Sequence, residues 1–135
     1  MRLVLDTCAL LAFAQGLRMR QAAVDAIEAA QAAAMVFVPS AVALELAQKV
    51  ASRKLSLDTD ARSWFERAMT TFDFNEVEMS ANMAFAAYEL PEPFHKDPAD
   101  RLIVAIARLL TAPVVTVDRR ILAYGRQGHV QVLAY

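Results

Sequence analysis

Short apolar runs recur along this chain between longer helical stretches, and that alternation limits its fold more than any other feature. Arg2–Asp6 (RLVLD), Met35–Val38 (MVFV), Phe74–Met79 (FNEVEM), Val114–Val117 (VVTV) and Val130–Leu133 (VQVL) read as strands. Helical stretches lie between them: Ala9–Ala14, Arg18–Ala34, Ser40–Ser52, Asp58–Thr70, Ser80–Leu90 and Asp97–Leu110. Asp6 with Thr7, Ser40, Asp58 and Asp97 supply candidate N-caps, and Gly16 and Pro113 punctuate. The prolines of PEPFHKDP remove backbone donors and mark a loop. Strands alternating with helices imply a parallel sheet with helices on both faces, since a parallel connection needs a crossover. Ligands of such sheets sit beyond the carboxyl ends of the strands, where strand order reverses. Functional residues are therefore expected just after strands.

The 135 residues suit one domain, 1–135. Hydrophobic residues make up 57%, but many are alanine, and no apolar run reaches the ~18 residues a membrane span needs. The net charge of −1 supplies no bulk positive field for nucleic acid. A nucleic-acid substrate would have to be held through metal ions and a few arginines. Cys8 is the only cysteine, which rules out an internal disulfide and a cysteine-rich zinc site and fits a reducing cytoplasm. ALLAFAQG has the small-x-small look of a signal cleavage site, but Asp6 interrupts its apolar approach and only Arg2 is basic before it.

Acidic residues mark the candidate site, and each also has a plain structural role open to it. Asp6 follows the first strand and Asp118 follows VVTV; the one can cap a helix and the other start a turn. Asp97 fits a helix N-cap with Pro98 at the first position and Asp100 at the third, both at the positive end of the helix dipole. Glu45 precedes Lys49 by four residues, the favourable spacing for a surface ion pair. Together the acids form an ordered set: strand-Asp, helix-Glu, helix-start Asp, strand-Asp. At ~5 Å and an effective dielectric of ~20, each pair of carboxylates repels by roughly 3 kcal/mol. A protein would gather them only around cations, and oxygen-only ligands favour Mg²⁺ or Mn²⁺. Such a cluster suits phosphodiester hydrolysis, because the ion activates water and offsets charge on phosphorus.

Four segments, LVLDTCALLAF, SAVALELAQK, HKDPADRLIVAIA and VVTVDRRIL, carry a family resemblance in order over nearly the whole chain. The chain resembles the PIN-domain nucleases, and most of all the VapC toxins of bacterial and archaeal toxin–antitoxin systems. The resemblance implies an α/β fold, an α/β/α sandwich around a mainly parallel sheet. It also implies a Mg²⁺- or Mn²⁺-dependent endoribonuclease acting on tRNA or another structured RNA to inhibit translation. Carried over residue by residue, the catalytic and metal-binding acids are Asp6, Glu45, Asp100 and Asp118. Thr7 and Thr116 match supporting hydroxyl positions, and Asp97 matches an extra aspartate that caps and contacts a metal-bound water. Cys8 stands where many members have serine.

Arg101, Arg119 and Arg120 adjoin the acids and are candidates to hold flanking phosphates, although Arg119 and Arg120 cannot easily both face the site. The aromatic stretch WFERAMTTFDF, with Trp64, Phe65, Met69, Phe72 and Phe74, reads as core or as a groove for a partner helix. The resemblance favours a cognate antitoxin there, a homodimer, and contact with operator DNA only through the antitoxin. His95 reads as a loop hydrogen-bonding residue rather than a ligand. Two other folds that place acids after strands fit poorly. A receiver domain wants paired acids after the first strand, and a haloacid-dehalogenase-type phosphatase wants an aspartate where Cys8 stands. A non-catalytic PIN-like module that binds RNA or protein is the alternative to a nuclease.

Overall fold

The computed structural model describes Met1–Tyr135. Its strands are β1 Leu3–Leu5, β2 Val36–Pro39, β3 Asn75–Val77, β4 Val114–Thr116 and β5 Val132–Ala134. Its helices are α1 Thr7–Ala14, α2 Gln21–Ala32, α3 Ser40–Ala51, α4 Ala61–Phe72, α5 Ala81–Ala87, α6 Pro98–Leu110 and α7 Arg119–Arg126. All five strands pair in parallel, in the order β3-β2-β1-β4-β5. The result is the expected α/β/α sandwich. From β1 the chain winds outward through β2 to β3, then returns to the other side of β1 to add β4 and β5. The reversal falls between β1 and β4, and the crevice beyond their carboxyl ends is the switch point of the sheet.

Burial follows from this arrangement. Every residue of β1 and of β4 is buried, because a central parallel strand is covered on both faces. Helix α6 lies against β1, β2 and β4. It buries Ala99, Arg101, Ile103, Val104, Ala105, Ile106 and Ala107, more than one face of a surface helix would. Within WFERAMTTFDF, Trp64, Phe65 and Phe74 are buried, and Phe72 and Phe74 pack with Phe13 at ring separations of 5.3–5.8 Å. No helix is long and apolar enough to cross a membrane.

Several local expectations are corrected. Ser40 is not an N-cap: α3 is entered through Pro39, and the Ser40 hydroxyl instead accepts from the Met79 amide at 3.2 Å, tying α3 to the end of β3. Asp60, not Asp58, caps α4 by accepting from the Ser63 amide; Asp58 pairs with Arg67 at the surface. Helix α2 starts at Gln21, later than the alanine-rich composition suggested. Helix α7 was not anticipated at all, since RRILAYGR is short and contains a glycine. That glycine is required by packing: a Cβ on Gly125 would sit 2.8 Å from a methyl of Val132, so any side chain would push α7 off β5.

Candidate active site

Register builds the site from the centre outward. Leu5 of β1 pairs with Val115 of β4, so the next residues, Asp6 and Thr116, are neighbours at the carboxyl edge. Thr116 is fully buried, and its hydroxyl accepts from the Asp118 amide at 3.0 Å. Asp118 follows two residues later at the head of α7. Strand β2 lies beside β1 and runs directly into α3, which carries Glu45 toward the same edge. There the Thr7 hydroxyl donates to Glu45 Oε1 at 2.7 Å. Helix α6 brings Asp97 and Asp100 to the opposite wall.

The resulting cleft, about 360 Å³, is lined by Asp6, Thr7, Cys8, Glu45, Lys49, Asp97, Asp100, Val117, Asp118 and Arg120. All four expected acids, with Asp97 and Thr7, thus meet in one place. Glu45 turns inward to Thr7 and makes no surface pair with Lys49, which lines the cleft one helical turn further along. Five carboxylates face two basic groups there.

Capping and gathering turn out to be the same act. Asp6 Oδ1 accepts from the Ala9 amide at 2.8 Å and caps α1. Asp97 Oδ1 accepts from Ala99 and Asp100 and caps α6. Asp118 Oδ1 accepts from Arg120 and Ile121 and caps α7. Three helix N-termini therefore converge on the cleft, and their amides and dipoles hold the carboxylates in place. Each capping interaction uses one oxygen of its carboxylate and leaves the other free of the helix amides.

The charges remain undercompensated. Burial, ahead of repulsion from Glu45 and Asp118, pushes the Asp6 carboxyl up to about 6. Burial, then Asp97, Glu45, Asp118 and Asp6, pushes Asp100 up to about 7. His95, only 14% exposed, places Nε2 3.1 Å from Asp100 Oδ2. Burial, then the Arg120 charge, holds its pKa below the usual histidine value. Single ligand atoms of His95, Asp100 and Asp118 lie within 4.8 Å of one another. An oxygen-rich donor set, short of positive charge and with free carboxylate oxygens, fits a divalent ion.

These shifts carry a sign for stability. A carboxyl whose folded pKa is raised contributes stability that is complete below its unfolded value near 4. That stability is lost as pH rises through the folded value, here about 7 for Asp100. In metal-free protein, Asp100→Asn is therefore expected to match wild type in Tm only near pH 4 and below, to exceed it increasingly from pH 4 to 7, and to level off above. A Tm difference that stays flat across this range would remove the repulsion from the account.

Among the arginines, Arg120 lines the cleft, with Nη2 3.6 Å from Asp118 Oδ2, and Arg119 does not. Successive helical residues point roughly 100° apart, so only one of the two can face the site. Arg101 is a correction. It is 4% exposed and directs its guanidinium away from the acids, donating to the carbonyls of Ala87, Phe94 and His95 and to Glu92 at 2.7–3.2 Å. It braces the loop before α6 and has no free face for a phosphate. Two residues at the acids differ from their sequence reading. Lys49, read as a surface partner of Glu45, lines the cleft instead, and His95, read as a loop hydrogen-bonding residue, makes no ring hydrogen bond and lies beside Asp100.

Fold and cleft together define an α/β protein that gathers carboxylates at the switch point of a parallel sheet. The chain belongs to the PIN domain family, whose pattern matches residues 3–127. No curated protein matches it significantly by sequence. Among solved structures, it is similar to VapBC2 from Rickettsia felis bound to a DNA fragment from their promoter. That match is 17% identical, covers 99% of this chain and 98% of the other, and has a TM-score of 0.72. FitAcB from Neisseria gonorrhoeae is 20% identical over 97% and 96% of the two chains, with a TM-score of 0.62. FitAB bound to IR36 DNA fragment is 19% identical over 98% and 94%, also at 0.62.

Proposed function

We propose that this protein is a metal-dependent endoribonuclease, the toxin of a toxin–antitoxin pair, which cuts tRNA or another structured RNA and so inhibits translation. The observation that carries the reading is the meeting of Asp6, Glu45, Asp100 and Asp118, distant in sequence, in one cleft. A Mg²⁺ or Mn²⁺ ion held there supplies Lewis acidity and an activated water. The protein's own residues do the rest. Asp6, Asp100 and Asp118 offer oxygens to the ion, while Thr7 orients Glu45 and Thr116 holds the backbone at Asp118. Asp97 keeps α6 and Asp100 in place. Lys49 and Arg120, at the cleft, are suited to phosphates flanking the cut. Incubation with total RNA and Mn²⁺ should yield cleavage at a small set of mapped sites, abolished by chelator and restored by added metal. Cleavage indifferent to chelator, or none on any RNA, would sink this reading.

The similar solved structures are described as VapBC2 and FitAB bound to DNA fragments, which supports an antitoxin partner here, with operator DNA reached through it. A second cleft, about 460 Å³, lies between α3 and α4 and is lined by Ala43, Ala47, Phe65, Met69 and Phe74 with Arg62, Glu66 and Glu76. An apolar floor with charged rims suits the apolar face of an antitoxin helix. Met69→Asp is expected to lose co-purification with a co-expressed antitoxin while keeping RNA cleavage. Retained co-purification would place the antitoxin elsewhere. Sedimentation of the free toxin tests the homodimer that the resemblance implies.

A further inference from the structure

We infer that His95 is itself a ligand of the ion in this cleft, forming with Asp100 and Asp118 a mixed nitrogen–oxygen site that prefers Mn²⁺ to Mg²⁺. The inference rests on the metal-dependent reading above and adds to it a ligand and an ion preference.

Three observations converge on it. The first is spacing. His95 Nε2 lies 3.1 Å from Asp100 Oδ2. With bonds of ~2.1 Å to an octahedral ion, neighbouring ligands stand ~3.0 Å apart, so this separation matches one edge of a coordination octahedron. Asp118 supplies a third donor within 4.8 Å of both.

The second is the direction of the contact. Both ring nitrogens of His95 are buried, and neither makes a hydrogen bond. Nε2 approaches the Asp100 oxygen without aiming an N–H along the line between them. A histidine placed there to donate to a carboxylate would point its N–H at the oxygen. Two ligands of one ion instead direct their lone pairs to a common third point. A buried, unpartnered polar atom is destabilising, and an ion at that point removes the cost for Nε2.

The third is support. The His95 carbonyl accepts from Arg101 Nη1 at 3.1 Å, and the preceding Phe94 carbonyl accepts from the same nitrogen at 3.2 Å. The Phe94 ring packs on the buried Tyr124 ring at 4.4 Å, and the Tyr124 hydroxyl donates to the Pro91 carbonyl. The loop is thus held at both ends, which is what a preorganised ligand requires. Imidazole nitrogen favours first-row transition ions over the all-oxygen preference of Mg²⁺.

The test is pulsed EPR of the full chain loaded with substoichiometric Mn²⁺, with natural-abundance and ¹⁵N-histidine protein. Nitrogen modulation that changes with the isotope is the expected result. His95→Ala should abolish it and weaken Mn²⁺ binding by at least about tenfold, the effect of losing a support of a metal site, while Mg²⁺ binding changes little. Mn²⁺ that binds and is lost in Asp118→Asn, but shows no histidine nitrogen coupling, overturns the role of His95 and leaves the nuclease reading standing. Mn²⁺ binding that Asp6→Asn and Asp118→Asn leave unchanged, or no binding at all, overturns both. The wild-type spectrum decides the point by itself, so a poorly folded variant does not blunt the test.

Discussion

Asp6→Asn is expected to reduce metal-dependent RNA cleavage by at least about two to three orders of magnitude while making the metal-free protein more stable. The two effects have one origin. Asp6 is 6% exposed at the end of the central strand, beside Glu45 and Asp118, and its carboxyl is pushed up to about 6. At pH 8 the folded protein must hold that carboxylate charged against burial and repulsion. Asparagine keeps an oxygen to accept from the Ala9 amide, so the cap of α1 survives. Relief of a shift of roughly two pKa units corresponds to about 3 kcal/mol, or roughly 10 °C in Tm for a chain of this size. On the proposed nuclease reading, removal of the charge also removes a central metal ligand, and the ion's transition-state stabilisation of several kcal/mol goes with it. Saturating Mn²⁺ should therefore raise the Tm of wild type more than that of the variant. A variant that melts lower than wild type without metal, or that cuts as well with it, would contradict this account of the cleft.

Arg101→Ala is expected to produce the largest loss of stability, about 3–5 kcal/mol, because it breaks a buried charged network and strands its acceptors. The carbonyls of Ala87, Phe94 and His95 lose their donor together; Glu92, largely exposed, returns to water. Arg101→Lys should recover only a minor part. An ammonium carries donors on a single atom and cannot reproduce the planar fork that serves four acceptors in different directions. Thermal and urea unfolding measure both variants. A phosphate-binding arginine would behave in the opposite way, with weaker RNA binding and an unchanged Tm, and that outcome would restore the substrate role that burial denies it. The expected loss also bears on the site, since the loop braced by Arg101 carries His95.

Much of the fold was legible because its signals are local. Apolar β-formers in RLVL, MVFV and VVTV, separated by helical stretches, admit few arrangements other than a parallel sheet, and the structure has one. Asp97 could be read as a cap with Pro98 and Asp100 behind it, and it is one. Where signals were short or ambiguous, tertiary contacts decided. Ser40 had the chemistry of a cap, but the end of β3 claimed its hydroxyl. Asp58 and Asp60 are equivalent by composition, and the backbone at Asp60 took the cap. RRILAYGR lacked a clear helical pattern and became α7 because Asp118 starts it and Gly125 lets it lie on β5.

The site divides along the same line. The sequence by itself determined which acids stand at the ends of strands and the starts of helices, since those positions follow from periodicity and capping chemistry within a few residues. Only the tertiary structure decided that Asp6, Glu45, Asp100 and Asp118 share a cleft, that Arg101 faces inward and that His95 meets Asp100. Those facts depend on strand order, on the pairing of Leu5 with Val115 and on the path of one loop. Each is set by contacts between segments tens of residues apart, where the energy of packing, not local preference, chooses the neighbour.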